Sequence, residues 1–192
     1  MSDWYTPFKI LTAAQSRGYI GESISQLEHG LQAAHFATLA HAEPAAVIAA
    51  LFHDIGHLCA DSSTSQMDDY GVVHHEEVGA EFLLSNGYPS AVAELVRGHV
   101  KAKRYLVSKN ENYGTWLSPA SKATLVHQGG PMKEGEALAF EADLNFKLMI
   151  KVRQWDEMAK ETDLEVAPLA DYVEIARLLV DGTNELSPSY LK

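Results

Sequence analysis

Pro44-Ala45-Ala46-Val47-Ile48-Ala49-Ala50-Leu51-Phe52-His53-Asp54 is apolar on every side until its last turn, where two ionisable residues stand together. Glu43-Pro44 opens a helix there, because proline in the first turn gives up an N–H that has no helical partner anyway. A helix that is apolar nearly all round belongs in the middle of a bundle. The pattern predicts a central helix from Pro44 to about Ile55, with Gly56 as its stop. His53-Asp54 then falls near the end of a buried helix. Burying both groups is costly unless they have partners. A metal ion is one such partner, since neutral imidazole and carboxylate are its natural nitrogen and oxygen donors. Taken alone, the dipeptide fits a capped helix end equally well.

Outward from this stretch the chain reads as helix after helix. Tyr5 to Arg17 is a first helix, ended by Gly18. Ser25-Gln26-Leu27-Glu28 is a capping box, in which hydroxyl and carboxylate each satisfy a free amide at a helix start. The helix it opens directs Leu27, Leu31, Ala34 and Leu39 toward a core and runs to about His41. Residues 60–72, rich in Asp, Ser and Gly, form a surface loop. His74 to Asn86, closed by Gly87, and Pro89 to His99 follow. Ser118-Pro119 starts a short helix, Asp143 to about Lys160 is a longer one, and Pro168 to Leu179 is the last. Strand signals, repeats and linkers are almost absent. The expected fold class is all-α, a helical bundle forming one domain over residues 1–192.

A formal charge of −11 with no Lys/Arg stripe argues against a nucleic-acid partner. Apolar runs such as Ala45 to Phe52 are too short to cross a bilayer, which needs roughly 20 apolar residues. The single cysteine, Cys59, excludes an intramolecular disulfide and a cysteine metal cluster. Met1-Ser2-Asp3-Trp4-Tyr5 lacks the basic and apolar regions of a signal peptide, and the single cysteine makes a cytoplasmic setting the expectation.

Nine histidines need an account. His35, His41, His74 and His127 read as surface imidazoles. His29 lies on the apolar stripe beside Leu27 and Leu31, His75 begins the helix after His53, and His99 closes the next. Each is roughly two dozen residues from the last, about one helix and one loop, so antiparallel helices return them to one level of a bundle. Asp156, on a late helix after Arg153-Gln154-Trp155, completes a ligand shell.

Three further readings concern what such a centre would bind. Lys103 stands four residues after His99, on the same face if the helix continues, and is a point charge suited to an anion. Ser121, Thr124 and Gln128 recur at i, i+3 and i+7, which lines three polar groups along one face. That face would grasp phosphonate oxygens, or it is simply solvated. His57, four residues from His53, is positioned to donate to the same anion or else supports the ligands from behind.

The ordered set His29, His53-Asp54 and Asp156 resembles the HD-domain superfamily. The pair His75 and His99 is similar to its dinuclear branch, in which the aspartate of the dipeptide bridges two metals. The local pattern His75-Glu76-x-x-Gly79-Ala80 then favours His75 over His74, because small residues let that helix pack closely. Four blocks carry a narrower resemblance. They are Tyr19-Ile20-Gly21-Glu22 leading to His29, His53-Asp54-Ile55-Gly56-His57, Gly98-His99 to Lys103-Arg104-Tyr105, and Leu117-Ser118-Pro119-Ala120-Ser121 to Gln128-Gly129-Gly130-Pro131-Met132. Together they resemble the phosphonate-cleaving mixed-valence diiron oxygenases, the PhnZ-like enzymes.

That resemblance implies two iron ions as Fe(II)/Fe(III), with O₂ as co-substrate. One ion would be held by His29, His53, Asp54 and Asp156, the other by bridging Asp54 with His75 and His99. It implies a small phosphonate substrate, a 1-hydroxy-2-(amino or trimethylamino)alkylphosphonate, cleaved to phosphate and glycine or glycine betaine. Lys103, His57, Ser121, Thr124 and Gln128 would bind the phosphonate, Glu22 would match an ammonium, and Tyr19 would guard the vacant metal position. An aromatic ring, Tyr19 or Tyr105, would favour a methylated amine. Other readings remain: a dinuclear phosphohydrolase acting on a nucleotide or phosphate ester, an inositol-type oxygenase with a polyol substrate, and an HD module that only binds a partner.

Overall fold

Eight consecutive side chains, Ala45 to Phe52, are buried in the computed structural model, which describes residues 3–19, 23–60, 65, 67 and 70–182. They form α3 (Pro44–Phe52), the axis of a bundle in which α2 (Gln26–Leu39), α6 (Ser90–Lys109), α10 (Phe146–Met158) and α11 (Leu169–Val180) pack around it. The first helix, α1 (Thr6–Ala13), lies against α2 and delivers Phe8 edge-on to Phe52 at 5.0 Å. The remaining elements are α4 (Gly56–Cys59), α5 (His75–Ser85), α7 (Glu111–Trp116), α8 (Pro119–His127) and α9 (Glu134–Glu141). Among the described residues the one β contact is an isolated bridge between Gly18 and Ser25. No helix among them is long and apolar enough to cross a membrane.

The capping box forms as expected: the Glu28 amide donates to Ser25 Oγ and the Ser25 amide donates to Glu28 Oε2. The buried face of α2 is nevertheless a stripe of small and polar residues, Gln26, His29, Gly30, Ala33, Ala34 and Ala37. Leu39 is 62% exposed, against the expectation that it points inward. It lies two residues past Ala37, about 200° round a helix of 3.6 residues per turn. Small residues replace large ones because α2 and α3 touch backbone to backbone. A Cβ on Gly30 would stand 2.6 Å from the Leu51 carbonyl oxygen.

Gly56 does not stop a helix. The chain stays in right-handed helical conformation through His53 and Ile55, and α4 begins at Gly56 itself. A side chain there is forbidden by tertiary contact: a Cβ would fall 1.9 Å from the His75 carbonyl oxygen. Gly79 is the matching gap on α5, where a Cβ would lie 3.1 Å from the Gly56 nitrogen. The two glycines bring α4 against α5 and so set His57 beside His75.

Two helices run differently from expectation. Helix α6 continues past His99 to Lys109, since Val100 to Leu106 contains no breaker and buries Val100, Ala102 and Lys103. Helix α1 ends at Ala13 rather than Arg17. Helices α7 and α9 have no counterpart in the periodicity reading. Each is short and starts on a local cap, the Asn110 side chain for α7 and Glu136 accepting from the Lys133 amide for α9. His41, His74 and His127 are exposed and His35 is partly buried.

Overpacking of this kind costs about 3 kcal/mol. Gly56→Ala is expected to lower unfolding stability by about that amount in urea denaturation, whereas Gly135→Ala, which meets nothing within 4 Å, should be neutral or mildly stabilising. Equal stabilities for the two variants would remove the glycine contact as the determinant.

Candidate metal centre

Four imidazoles converge at the middle of the bundle, from α2, the end of α3, the start of α5 and the centre of α6. His29 Nε2 and His53 Nε2 stand 3.0 Å apart, and His75 Nε2 and His99 Nε2 stand 3.1 Å apart. Between the pairs lies Asp54, 12% exposed, whose two oxygens divide. Oδ2 faces His29 and His53 at 3.8 and 3.5 Å, while Oδ1 faces His75 and His99 at 3.3 and 3.5 Å. Asp156 Oδ1 adds a second carboxylate to the first pair, 3.4 Å from His29 and 3.6 Å from His53.

The tautomers show what this geometry requires. His29 donates from Nδ1 to the Ala159 carbonyl at 2.7 Å, His53 to Ala50 at 2.8 Å and His99 to Val96 at 2.7 Å. With the ring proton on Nδ1, a neutral imidazole presents a bare lone pair at Nε2. With both rings neutral, as metal ligands must be, His29 and His53 face lone pair to lone pair at 3.0 Å. Without a cation a proton fills that gap, for although burial opposes it the Asp54 and Asp156 carboxylates raise the His53 imidazole well above its ordinary value. A cation resolves that repulsion, and a backbone carbonyl behind the ring is how metal-ligating histidines are ordinarily oriented. His29, His53 and Asp54 form one group able to hold an ion, and Asp54, His75 and His99 form another. Two nitrogen donors and shared carboxylate oxygen suit iron, zinc or manganese.

Electrostatics agree. Burial opposes ionisation of Asp54 and Asp156, yet the His53 ring beside Asp54 and the Arg153 guanidinium beside Asp156 hold both carboxyls well below the usual range. Both are therefore anions at neutral pH.

A cavity opens on the second pair and on Asp54 and Asp156, and its far wall is polar. Lys103, 4% exposed, donates to Thr124 Oγ1 at 2.9 Å. Burial, then the nearby Arg153 charge, pushes its ammonium down to about 7. Ser121, Thr124 and Gln128 line the same wall along α8, and both polar atoms of the Gln128 side chain are enclosed without a partner. His57 accepts the Val72 amide at Nδ1 (3.0 Å), which leaves its Nε2–H as a donor. Burial, then the neighbouring His75, pushes it down to about 3, so it is neutral. Tyr19 stacks on His29 with centroids 3.8 Å apart, and burial, then the Asp54 carboxylate, raises its phenol. Glu22 lies outside the described residues. Tyr105 faces away from the cavity, donating to Glu141 and packing on Phe140 and Phe146.

Arg153 and Tyr70, which the sequence reading did not assign, also line the cavity. Arg153 is 3% exposed and pairs with Asp156 and Glu157, while donating to Tyr113 Oη at 3.1 Å and Ser121 Oγ at 3.4 Å. Its signal was an arginine three residues before Asp156 on the buried stripe of α10. Tyr70 sits in the polar loop, where no periodicity marks it.

An all-helical bundle closing around an ordered His, His-Asp and Asp set defines an HD-domain protein. The HD-domain family model matches residues 27–176, and the chain belongs to that family. Among its relatives is the 1-hydroxy-2-(trimethylamino)ethylphosphonate dioxygenase (glycine-betaine-forming) of Leisingera caerulea, 39% identical over 163 residues, covering 85% of this chain and 83% of that one. The hydroxymethylphosphonate dioxygenase of Gimesia maris is 40% identical over 160 residues, covering 81% and 78%. An uncharacterised protein of Acanthamoeba polyphaga mimivirus is 36% identical over 170 residues, covering 88% and 78%.

Metal-free protein is expected to take up two equivalents of divalent ion and gain thermal stability, as a ligand bound only by the native state must confer. His99→Ala should retain one equivalent by elemental analysis, and two full equivalents would remove His99 from the ligand set.

Proposed function

We propose that the protein is a diiron oxygenase that uses O₂ to break the C–P bond of a small 1-hydroxyphosphonate, releasing phosphate. The observation that carries this reading is the pairing, across one cavity, of a two-ion donor set with a wall of anion-binding groups. Lys103 and Arg153 line that cavity together with Asp54 and Asp156, and Ser121, Thr124 and Gln128 share its wall. The named activities of the two dioxygenase relatives support it.

Two irons as Fe(II)/Fe(III), bound by His29, His53, Asp54 and Asp156 and by Asp54, His75 and His99, would activate O₂ and anchor the substrate hydroxyl. The chain's own groups bind and orient. Lys103 serves as a point charge for the phosphonate, and the Thr124 hydroxyl it contacts would turn its donor from the Ser121 carbonyl, 3.2 Å away, to an oxygen of the same anion. Arg153 is pinned by Asp156 and Glu157, so its cationic edge is fixed before substrate arrives. Gln128 offers both a donor and an acceptor that the folded chain leaves unused. His57, with Nδ1 held by the Val72 amide, presents its Nε2–H as a donor for the same anion. Tyr19, over His29, excludes water from the first ion position. Glu22 is assigned the ammonium of an aminated substrate, which makes a 1-hydroxy-2-(amino or trimethylamino)alkylphosphonate the proposed substrate class.

Iron-loaded protein should release phosphate from 1-hydroxy-2-(trimethylamino)ethylphosphonate, its primary-amine analogue or hydroxymethylphosphonate only when O₂ is present. Hydrolysis of phosphate esters without air, with no phosphate from any of the three, would establish a dinuclear phosphohydrolase instead. A hydrogen bond to a charged group is worth about 1.5–3 kcal/mol. Lys103→Ala should therefore raise KM for the phosphonate roughly ten- to a hundredfold. An unchanged KM would take Lys103 out of the phosphonate site.

A further inference from the structure

The four ligating imidazoles are not equivalent behind the ring. His53 and His99 each donate to the carbonyl three residues back in their own helix, Ala50 and Val96, and His29 donates to the Ala159 carbonyl. His75 is the first residue of α5 and has no preceding turn to supply such a carbonyl. The chain enters through His74 in the left-handed conformation, φ 56°. His75 Nδ1 is accordingly buried without a hydrogen-bond partner. The next side chain, Glu76, is 8% exposed, and its Oε2 is also buried without one. These two atoms lie 3.7 Å apart. Two hydrogen bonds through a water need more than that span, so nothing bridges them.

We infer that Glu76 is the positioning residue for His75: its carboxylate accepts the Nδ1–H and lends negative charge to the ion that His75 and His99 hold. The contact forms by rotation about the terminal torsions of Glu76, which closes a gap of less than one ångström. His57, stacked on His75 with centroids 4.0 Å apart, keeps the ring plane fixed while the Nδ1 edge faces Glu76. Carboxylate–histidine–metal arrangements raise ligand basicity and set ring orientation.

Among the described residues the ion-pair distances of Glu76 are to the imidazoles of His74 and His75. A carboxylate with no lysine or arginine within ion-pair distance favours higher positive charge on the ion beside it. This tuning rests on the diiron reading, while the positioning of His75 does not.

The test compares the parent with Glu76→Gln, which keeps an acceptor but no charge, and Glu76→Ala, which keeps neither. Calorimetric titration of the metal-free proteins with Mn²⁺ reads positioning whatever the reaction. Glu76→Gln should bind two ions as the parent does, and Glu76→Ala should bind the second about 10- to 100-fold more weakly. An Mn²⁺ isotherm for Glu76→Ala identical to the parent's would overturn the positioning role. A redox titration of the two-iron proteins, followed by the electron paramagnetic resonance of the mixed-valence pair, reads the charge. At a fixed potential the Fe(III)/Fe(II) ratio in Glu76→Gln should fall at least about tenfold. An unchanged ratio would overturn the tuning. A role confined to the start of α5 would move Tm alone and leave both readouts in place, which also overturns the inference. A parent that binds two Mn²⁺ ions yet forms no mixed-valence iron pair would remove the oxygenase reading and the tuning with it, and the Mn²⁺ comparison would still decide the positioning.

Discussion

Behind the rings of His29, His53 and His99 stand the carbonyls of Ala159, Ala50 and Val96, at 2.7 to 2.8 Å. Each contact satisfies a backbone acceptor and at the same time locks a ring proton on Nδ1. Ala159 is the C-terminal cap of α10, so the imidazole of α2 occupies one of the carbonyls that a helix end leaves open. Helix termination and ligand orientation are therefore one interaction. The three Nε2 atoms turned toward the centre follow from it, and with them the capacity of the site to hold cations between helices.

The charged residues around the centre form a buried ionic network, which is a poor source of net stability because desolvation offsets much of the attraction. Asp156, Arg153, Glu157 and Lys160 alternate in charge along about two turns of α10 and its end, each within reach of the next. Their arrangement is better understood as placing charge than as gluing helices. Arg153 keeps Asp156 ionised while turning a cationic edge to the cavity. Stability comes from elsewhere, chiefly the all-apolar α3 and the close backbone contacts at Gly30, Gly56 and Gly79.

Much of this was legible because spacing carried it. The apolar run before His53-Asp54 marked the central helix, and the repeat of histidines at helix-plus-loop intervals marked the side chains that converge at its end. What escaped had no periodic signature. Gly56 reads locally as a stop, and only the His75 carbonyl, delivered by another helix, explains it. Leu39 satisfies a hydrophobic count but not the angle of the buried stripe. Arg153 drew no assignment because a lone sequence does not show which carboxylates will surround it. Helices α7 and α9 depend on single caps, and Tyr70 on a loop. Glu76, beside the chosen ligand, gave no sign until His75 proved to begin its helix without a carbonyl behind it.

The same helix that carries a candidate metal ligand also carries a cation lining the cavity, twice over. On α6, Lys103 follows His99 by four residues, about 6 Å of axial rise, and on α10 Arg153 precedes Asp156 by three, about 4.5 Å. A rigid helix makes these separations insensitive to the loops that join the bundle. Because α6 continues beyond His99, the cation stands one turn from the ligand rather than in a mobile connection. Such a ruler suits a substrate whose metal-binding oxygen and anionic oxygens are one carbon apart, as in a 1-hydroxyphosphonate. A nucleotide would reach both ends with only its phosphate and leave its base and sugar to a cavity whose remaining described wall is Tyr19, Tyr70, His57 and Ala120. The spacing of two pairs of residues on two helices thus favours the small phosphonate over the larger ester.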